Sequence, residues 1–197
     1  MTVSFKEHPY WHVRDVVLKA VGEVSLVEMS YYTYTPQSVV DSRLIFSMPV
    51  VDFLNVEFVE GRIKNCPPGC EVAIHSKLVM LDGSFTHIPM IDMSTGSAAQ
   101  LAKLKPILDK DFDSFAWFKS GRSYHGYGAA LIGHDEWIRL MGKLLLANQI
   151  GVPHTVDPRW VGHRLIAGYA ALRWTKNTSH YVDIPKKLKA PYSDLGS

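Results

Sequence analysis

Four side chains that can hold an anion lie within one short stretch of the chain. Lys119, Ser120, Arg122 and His125 fall within seven residues. The Ser-Gly-Arg-Ser sequence among them suits a turn, and strand-like residues flank it, so the pattern predicts a β-hairpin with a basic turn. Turns carry binding residues more often than the elements that they join. A solvated surface hairpin accounts for the same residues equally well.

Two isolated carboxylates lie on either side of this hairpin in the chain. Asp92 ends an otherwise apolar strand-like segment, where burial of a lone charge is costly unless it has a partner. Asp157 follows a helical pattern and precedes Pro158. Mg²⁺ is usually held by one or two carboxylates together with phosphate oxygens, so these residues, with Arg173, suit a site for a metal and a triphosphate. Each aspartate also suits a purely structural role: Asp92 as the cap of a strand-to-helix turn, and Asp157-Pro158 as the start of a turn.

Composition narrows the class of protein. The 197 residues suit one domain, and 47% hydrophobic and 20% charged residues are ordinary for a globular chain. The net charge of +2 restricts any nucleic-acid contact to a local patch. Cys66 and Cys70 have neither the spacing of a redox pair nor a second pair for zinc. Because the sequence shows no signal-peptide or membrane-spanning pattern, we expect a soluble, cytoplasmic protein without a membrane partner.

Strand and helix patterns alternate along the chain. Strand-like segments cover residues 25–35, 43–48, 72–81, 85–93, 112–119, 124–132 and 170–175. Helical patterns cover residues 7–21, 97–105 with a capping box at Ser97, the segment from Asp135, and 160–167, while 50–64 suits either type. Pro89 indicates an edge or a bulge in its strand. The order predicts an α+β domain with helices on one face of an antiparallel or mixed sheet.

The order of these motifs resembles the archaeo-eukaryotic primase superfamily, which includes the primase small subunit and the primase-polymerases. The resemblance covers about residues 71–178 and has three parts: a strand that ends at Asp92, Ser120-Gly-Arg-Ser-Tyr-His125 on a hairpin, and Asp157 followed by Leu172-Arg173-Trp174. Together with the length of the chain, it leads us to expect a single domain over 1–197, although the first 70 residues match nothing specific to the family. That domain would contain an N-terminal α/β lobe at 1–70, an RRM-like catalytic core at 71–185 and a loose tail at 186–197.

The resemblance also implies roles for individual residues. The implied catalytic residues are Asp92, Asp157 and His125, and the two aspartates hold Mg²⁺ or Mn²⁺. The implied nucleotide-binding residues are Lys119, Ser120, Arg122, His125, Arg164 and Arg173. The implied activity is synthesis or extension of DNA or RNA primers from nucleotide triphosphates. The implied partners are a DNA or RNA template and a helicase or another replication or defence protein.

One position departs from the family's pattern. The first motif is typically Asp-x-Asp, whereas this chain has Asp92-Met93-Ser94. Two-metal catalysis relies on ions about 3.5–4 Å apart that share carboxylate ligands, so a second ion needs another acid, with Asp82 and Asp183 as candidates. The alternative to an active polymerase is a catalytically degenerate module that binds nucleotide or nucleic acid within a larger assembly. A structural or interaction domain without a nucleotide site is the third possibility.

Overall fold

The computed structural model describes residues 5–188. Its α-helices are α1 (Tyr10–Lys19), α2 (Val50–Leu54), α3 (Val56–Lys64), α4 (Ala98–Ala102), α5 (Lys105–Leu108), α6 (His134–Leu146) and α7 (Pro158–Ala167). Its strands are β1 (Val24–Tyr32), β2 (Arg43–Pro49), β3 (Glu71–Met80), β4 (Phe85–His87), β5 (Met90–Asp92), β6 (Ala116–Ser120), β7 (Ser123–Tyr127), β8 (Ala171–Arg173) and β9 (Lys186–Lys187). Short 3₁₀ helices cover Phe5–Glu7 and Asp109–Ser114.

The strands form two antiparallel sheets. The first has the order β2-β1-β3-β4, with β8 also paired to β3, and the second has the order β5-β7-β6-β9. The predicted α+β class is confirmed. The sequence predicted one sheet, whereas the structure has two. The finer RRM-like arrangement stays a prediction.

The division between the sheets occurs inside the strand that the sequence predicted over residues 85–93. β4 ends at His87 and pairs with β3, whereas β5 begins at Met90 and pairs with β7. Pro89 has no N–H group to donate to a sheet, and its carbonyl accepts the N–H of Gly128 at 2.9 Å. Ile88 and Pro89 therefore carry the chain from one sheet to the other and place Asp92 at the end of β5.

The N-terminal part of the chain is built into the first sheet. β1 pairs with β3 from Val24 to Tyr32, and β2 pairs with the other edge of β1. Residues 50–64, ambiguous from the sequence, form α2 and α3, and Asn55 caps α3 by accepting the N–H of Glu57 at 3.0 Å. One hydrophobic cluster contains buried residues of α1, β3, β6, β7, α6 and β8. Residues before and after position 70 therefore share one sheet and one hydrophobic cluster within the described range.

Several local predictions need correction. The Ser97 side chain makes no cap hydrogen bond, although α4 begins directly after it. The strand predicted over 112–119 starts only at Ala116 because a 3₁₀ helix precedes it. The tail predicted over 186–197 begins as β9, paired with β6, and its residues 189–197 lie outside the described range. Within residues 5–188, no helix combines the length and apolar character needed to cross a membrane.

Candidate functional site

A cleft of about 740 Å³ is lined by residues of both sheets and of α7. The residues predicted from the sequence that line it are Asp92, Ser120, Arg122, His125, Asp157, Arg164 and Arg173. Lys119 is not in the lining: its Nζ donates to the Gly96 carbonyl at 3.2 Å and lies 4.5 Å from the centre of the Tyr124 ring. Successive side chains of a strand point to opposite faces, so Lys119 faces away from Ser120.

Backbone pairing holds Asp92 and Asp157 next to each other. The Asp157 N–H donates to the Asp92 carbonyl at 3.1 Å, and Met93 and Val156 form an antiparallel bridge. Segments that are distant in sequence are thereby joined at the end of β5. The two predicted carboxylates therefore line the same cleft.

Asp157 also has a structural role at the start of a helix, whereas its sequence context had suggested only the start of a turn. It is the N-cap of α7, and its Oδ1 accepts the N–H groups of Arg159 at 2.9 Å and Trp160 at 3.2 Å. Aspartate is among the preferred N-cap residues because its carboxylate satisfies otherwise unpaired helix donors. The cap fixes the Asp157 side chain at the edge of the cleft, so the structural and functional interpretations are compatible.

The charge of Asp157 disfavours the ionised form of Asp92. Burial, and next the negative charge of Asp157, raise the pKa of Asp92 to about 8, while Arg173 and Arg164 oppose this increase. The Asp92 side chain keeps 24% of its exposure, so its carboxylate can be reached from the cleft. A divalent cation would relieve this repulsion, and oxygen atoms of two carboxylates are ligands that Mg²⁺ and Mn²⁺ accept.

His125 is the cross-strand neighbour of Asp92. Its Nε2 lies 3.6 Å from Asp92 Oδ1, and its buried Nδ1 has no hydrogen-bond partner among the described residues. Burial and the nearby charge of Arg173 hold the pKa of His125 well below its ordinary value. The imidazole is therefore neutral at physiological pH. It can donate one hydrogen bond to an anion in the cleft but brings no charge.

Arg173 connects the basic hairpin to the last strand of the first sheet. Its Nη2 donates to Ser120 Oγ at 2.8 Å, and its Nη1 donates to the carbonyls of Thr175 and Asp183. The guanidinium Cζ lies 4.0 Å from the centre of the Tyr181 ring. These contacts hold a buried cation beside a hydroxyl, which is a suitable arrangement for phosphate oxygens. Arg122 lies at the exposed hairpin turn and adds a second cation to the lining.

Arg164 is held by an acid that the sequence analysis did not single out. It is 1% exposed, and its Nη2 is paired with Asp41 Oδ2. The same carboxylate oxygen accepts Arg43 Nε at 2.7 Å. Arg164 Nε and Nη1 are buried and have no partner among the described residues. Burial, and next the charge of Arg43, lower the pKa of Arg164, so further negative charge in the cleft would be favourable.

The sequence also did not single out several other residues that line the cleft. They are Tyr32, Tyr34, Asp41, Arg43, Arg159, His163, His180 and Tyr181. Most of them lie outside the three motifs, and no local spacing connects them to Asp92. The aromatic residues near β1 were assigned to a strand from their β propensity, which does not indicate a binding role.

Neither acid that the sequence offered in place of the missing second acid of the first motif lies in the cleft. Ser94 is exposed, and its N–H donates to the Thr155 carbonyl at 3.0 Å. Asp82 bonds Ser84 on an exposed turn, Asp183 pairs with Lys186 at 2.8 Å, and neither aspartate lines the cleft. Residues 5–188 hold no group of three or more His, Cys, Asp or Glu side chains placed for a metal ion. The described lining therefore brings the two predicted carboxylates, Asp92 and Asp157, to the same end of β5 without a third ligand of this kind beside them.

Comparison with known proteins gives one family. The model of the archaeo-eukaryotic primase 1D-like family, AEP-like, matches residues 51–186. No curated protein matches the chain, and no solved structure does. The matched range contains Asp92, His125, Asp157 and Arg173, and it covers more than half of the chain. The chain belongs to the archaeo-eukaryotic primase 1D-like family.

Proposed function

We propose that the protein is a metal-dependent nucleotidyltransferase of the primase-polymerase type, which synthesises or extends DNA or RNA primers from nucleotide triphosphates. Membership of the family supports a primase-type nucleotidyltransferase. The observation that carries the proposal is the presence of two adjacent carboxylates and the Ser120–Arg173 pair in one cleft. A cation site and an anion site side by side are what a metal-bound triphosphate requires.

In this proposal the side chains of the cleft have separate roles. Asp92 and Asp157 hold Mg²⁺ or Mn²⁺, which supplies positive charge to the phosphates when bound. Arg173, with Ser120, binds triphosphate oxygens, and Arg122 adds charge from the exposed turn. Neutral His125 donates a hydrogen bond beside Asp92. Nucleotidyl transfer depends mainly on positioning and electrostatic stabilisation, so these roles suffice without a protein nucleophile.

The proposal is tested by primer synthesis and primer extension. The purified protein is incubated with Mn²⁺, labelled nucleotide triphosphates and either a DNA or an RNA template. We expect product with the native protein, loss of product with Asp92→Ala, and retention with Asp113→Ala, which alters an exposed residue outside the cleft. Absence of product on every template would show the polymerase proposal to be wrong.

Calorimetry distinguishes the alternative that the sequence raised. Nucleotide binding that needs Mg²⁺ but gives no turnover would identify a catalytically degenerate module, as the neutral Ser94 allows. Absence of nucleotide binding would show that the cleft is not a nucleotide site and would favour a structural or interaction domain. A helicase or another replication or defence protein as a partner remains a prediction of the resemblance.

A further inference from the structure

Three aromatic side chains in the lining of the cleft form a cluster in which Tyr34 contacts both others: Tyr34, His180 and Tyr181, which we call the aromatic rim. The centre of the Tyr34 ring lies 5.6 Å from that of His180 and 5.9 Å from that of Tyr181. Tyr34 is 45% exposed, and His180 is also exposed. Large rings are usually buried against apolar neighbours, whereas Tyr34 and His180 are exposed in the lining of the cleft.

The Tyr34 side of the rim is held in place from both ends. Tyr32, two residues earlier, ends β1 and is 8% exposed. Beyond Tyr34, the Ser38 carbonyl accepts Arg159 Nη2 at 2.7 Å and His163 Nε2 at 3.2 Å. Because the segment is anchored to β1 and to α7, the position of Tyr34 is defined by the fold.

The other side of the rim is anchored by a buried carboxylate. Glu71 is 0% exposed and accepts the Thr175 hydroxyl, the Asn177 N–H at 2.9 Å and both the N–H and the hydroxyl of Thr178 at 2.8 Å. Multiple donors to one carboxylate fix the segment that leads directly to His180. Both halves of the rim are therefore pre-organised before any ligand binds.

The rim is continuous with the proposed phosphate site. The Arg173 guanidinium lies over one side of the rim, with its Cζ 4.0 Å from the centre of the Tyr181 ring. The Tyr181 hydroxyl shares a 3.0 Å hydrogen bond with the hydroxyl of Tyr32. A ligand bound through phosphate at Arg173 and Ser120 would thus have aromatic rings immediately beside its anionic end. A nucleotide has this division into an anionic end and a flat aromatic end.

We propose that the aromatic rim binds the base of the nucleotide triphosphate by stacking, with Tyr34 as the principal contact. The inference rests on the proposed function, because it assumes that phosphates bind at Arg173. Every base has a π-face, so stacking tolerates all bases. It contributes about 1–3 kcal/mol per base, or about a fivefold to 150-fold change in affinity. The rim is therefore expected to increase affinity for all four nucleotides to a similar extent.

The test compares a complete nucleotide with its phosphate portion alone. Calorimetry with Mn²⁺ and without template measures the binding of ATP and of inorganic tripolyphosphate. We expect the native protein to bind ATP about tenfold more tightly than tripolyphosphate, in line with one stacked base. Tyr34→Ala should remove this difference and leave the affinity for tripolyphosphate unchanged, whereas Tyr34→Phe should retain it. Tyr34→Leu, which keeps apolar bulk without a ring, provides a second variant if Tyr34→Ala unfolds.

The outcomes separate this inference from the proposed function. If tripolyphosphate binds but ATP binds no more tightly, the inference is overturned and the phosphate site stands. An equal loss of both ligands in the Tyr34→Ala and Tyr34→Leu proteins would also overturn it, because Tyr34 would then support the fold and not the base. If neither ligand binds to the native protein, the proposed function fails together with the inference.

Discussion

Replacement of Asp92 by asparagine should stabilise the metal-free protein, and increasingly so at higher pH. Burial and Asp157 raise the pKa of Asp92 from 3.8 to about 8. A carboxyl group whose pKa is raised by folding contributes most to stability below its ordinary pKa, and that contribution is lost as the pH rises towards about 8. The asparagine side chain has nearly the same size and never ionises. The variant should therefore lack this pH dependence.

The magnitude follows from the pKa values. At about 1.36 kcal/mol for each pH unit between 3.8 and about 8, the complete effect would be about 6 kcal/mol. Water reaches the Asp92 side chain, which keeps 24% of its exposure, and this contact reduces the effect. We therefore expect Asp92→Asn to raise the free energy of unfolding by about 2–3 kcal/mol near pH 8, and by little near pH 4.

Urea unfolding at several pH values, with a chelator present, measures this difference. Asp113→Asn is the control, because it removes one exposed carboxylate outside the cleft. Asp157→Asn should also stabilise the protein near pH 8, since asparagine keeps the N-cap bonds but removes the repelling charge. The two changes should be less than additive, because each removes the same repulsion. A difference between Asp92→Asn and the native protein that does not grow with pH would refute this reasoning.

Three further outcomes are expected. Mn²⁺ should raise the melting temperature more near pH 8 than near pH 6, because protons compete for Asp92, and Asp92→Asn should lose this response in a thermal melt. Glu71→Gln should lower the free energy of unfolding in urea by about 1–3 kcal/mol, because an amide NH₂ group cannot accept the N–H and O–H groups that the carboxylate accepts. Glu57→Gln, at an exposed position of α3, is the control and should change this free energy little. Gly126→Ala should lower the free energy of unfolding by about 1–3 kcal/mol, because the added Cβ would lie 2.6 Å from the Trp117 ring. Gly142→Ala, whose Cβ would meet no atom within 4 Å, should raise this free energy by about 1 kcal/mol. Equal effects of Gly126→Ala and Gly142→Ala in urea unfolding would show that Gly126 does not need this close approach to the Trp117 ring.

Local patterns predicted much of the fold because the elements carry their own signals. The Asp82-Gly83 turn, the amphipathic pattern of α6 and the β-branched and aromatic residues of β1 identify their elements without tertiary information. The split at Pro89 was not predictable in the same way. Proline shows that the strand is interrupted, but the partner of each half depends on contacts with residues far away in sequence.

The site shows the same limit. The sequence singled out Asp92, His125 and Asp157 because each belongs to a motif, and Lys119 because it adjoins Ser120 in sequence. Because successive side chains of a strand point to opposite faces, Lys119 lies outside the cleft that Ser120 lines. The sequence alone does not show which of the two faces of β6 borders the cleft. The anchoring contacts of Asp41 and Tyr34 could not be inferred, because they come together with the motifs only through the pairing of β1 with β3.

The division of the cleft between two parts of the chain suggests a division of roles. The range that matches the family, 51–186, contains the two aspartates and Arg173, whereas Tyr34 and Asp41 lie before it. β1 joins these parts by pairing with β3 along its length. The segment that follows β1 and contains Tyr34 and Asp41 is therefore held by the first sheet as one side of the cleft. If the aromatic rim binds the base, changes at Tyr34 would alter how tightly a nucleotide is held. Changes at Asp92 would alter whether its phosphates can react. The two effects should therefore be separable by measuring affinity and turnover on the same variants.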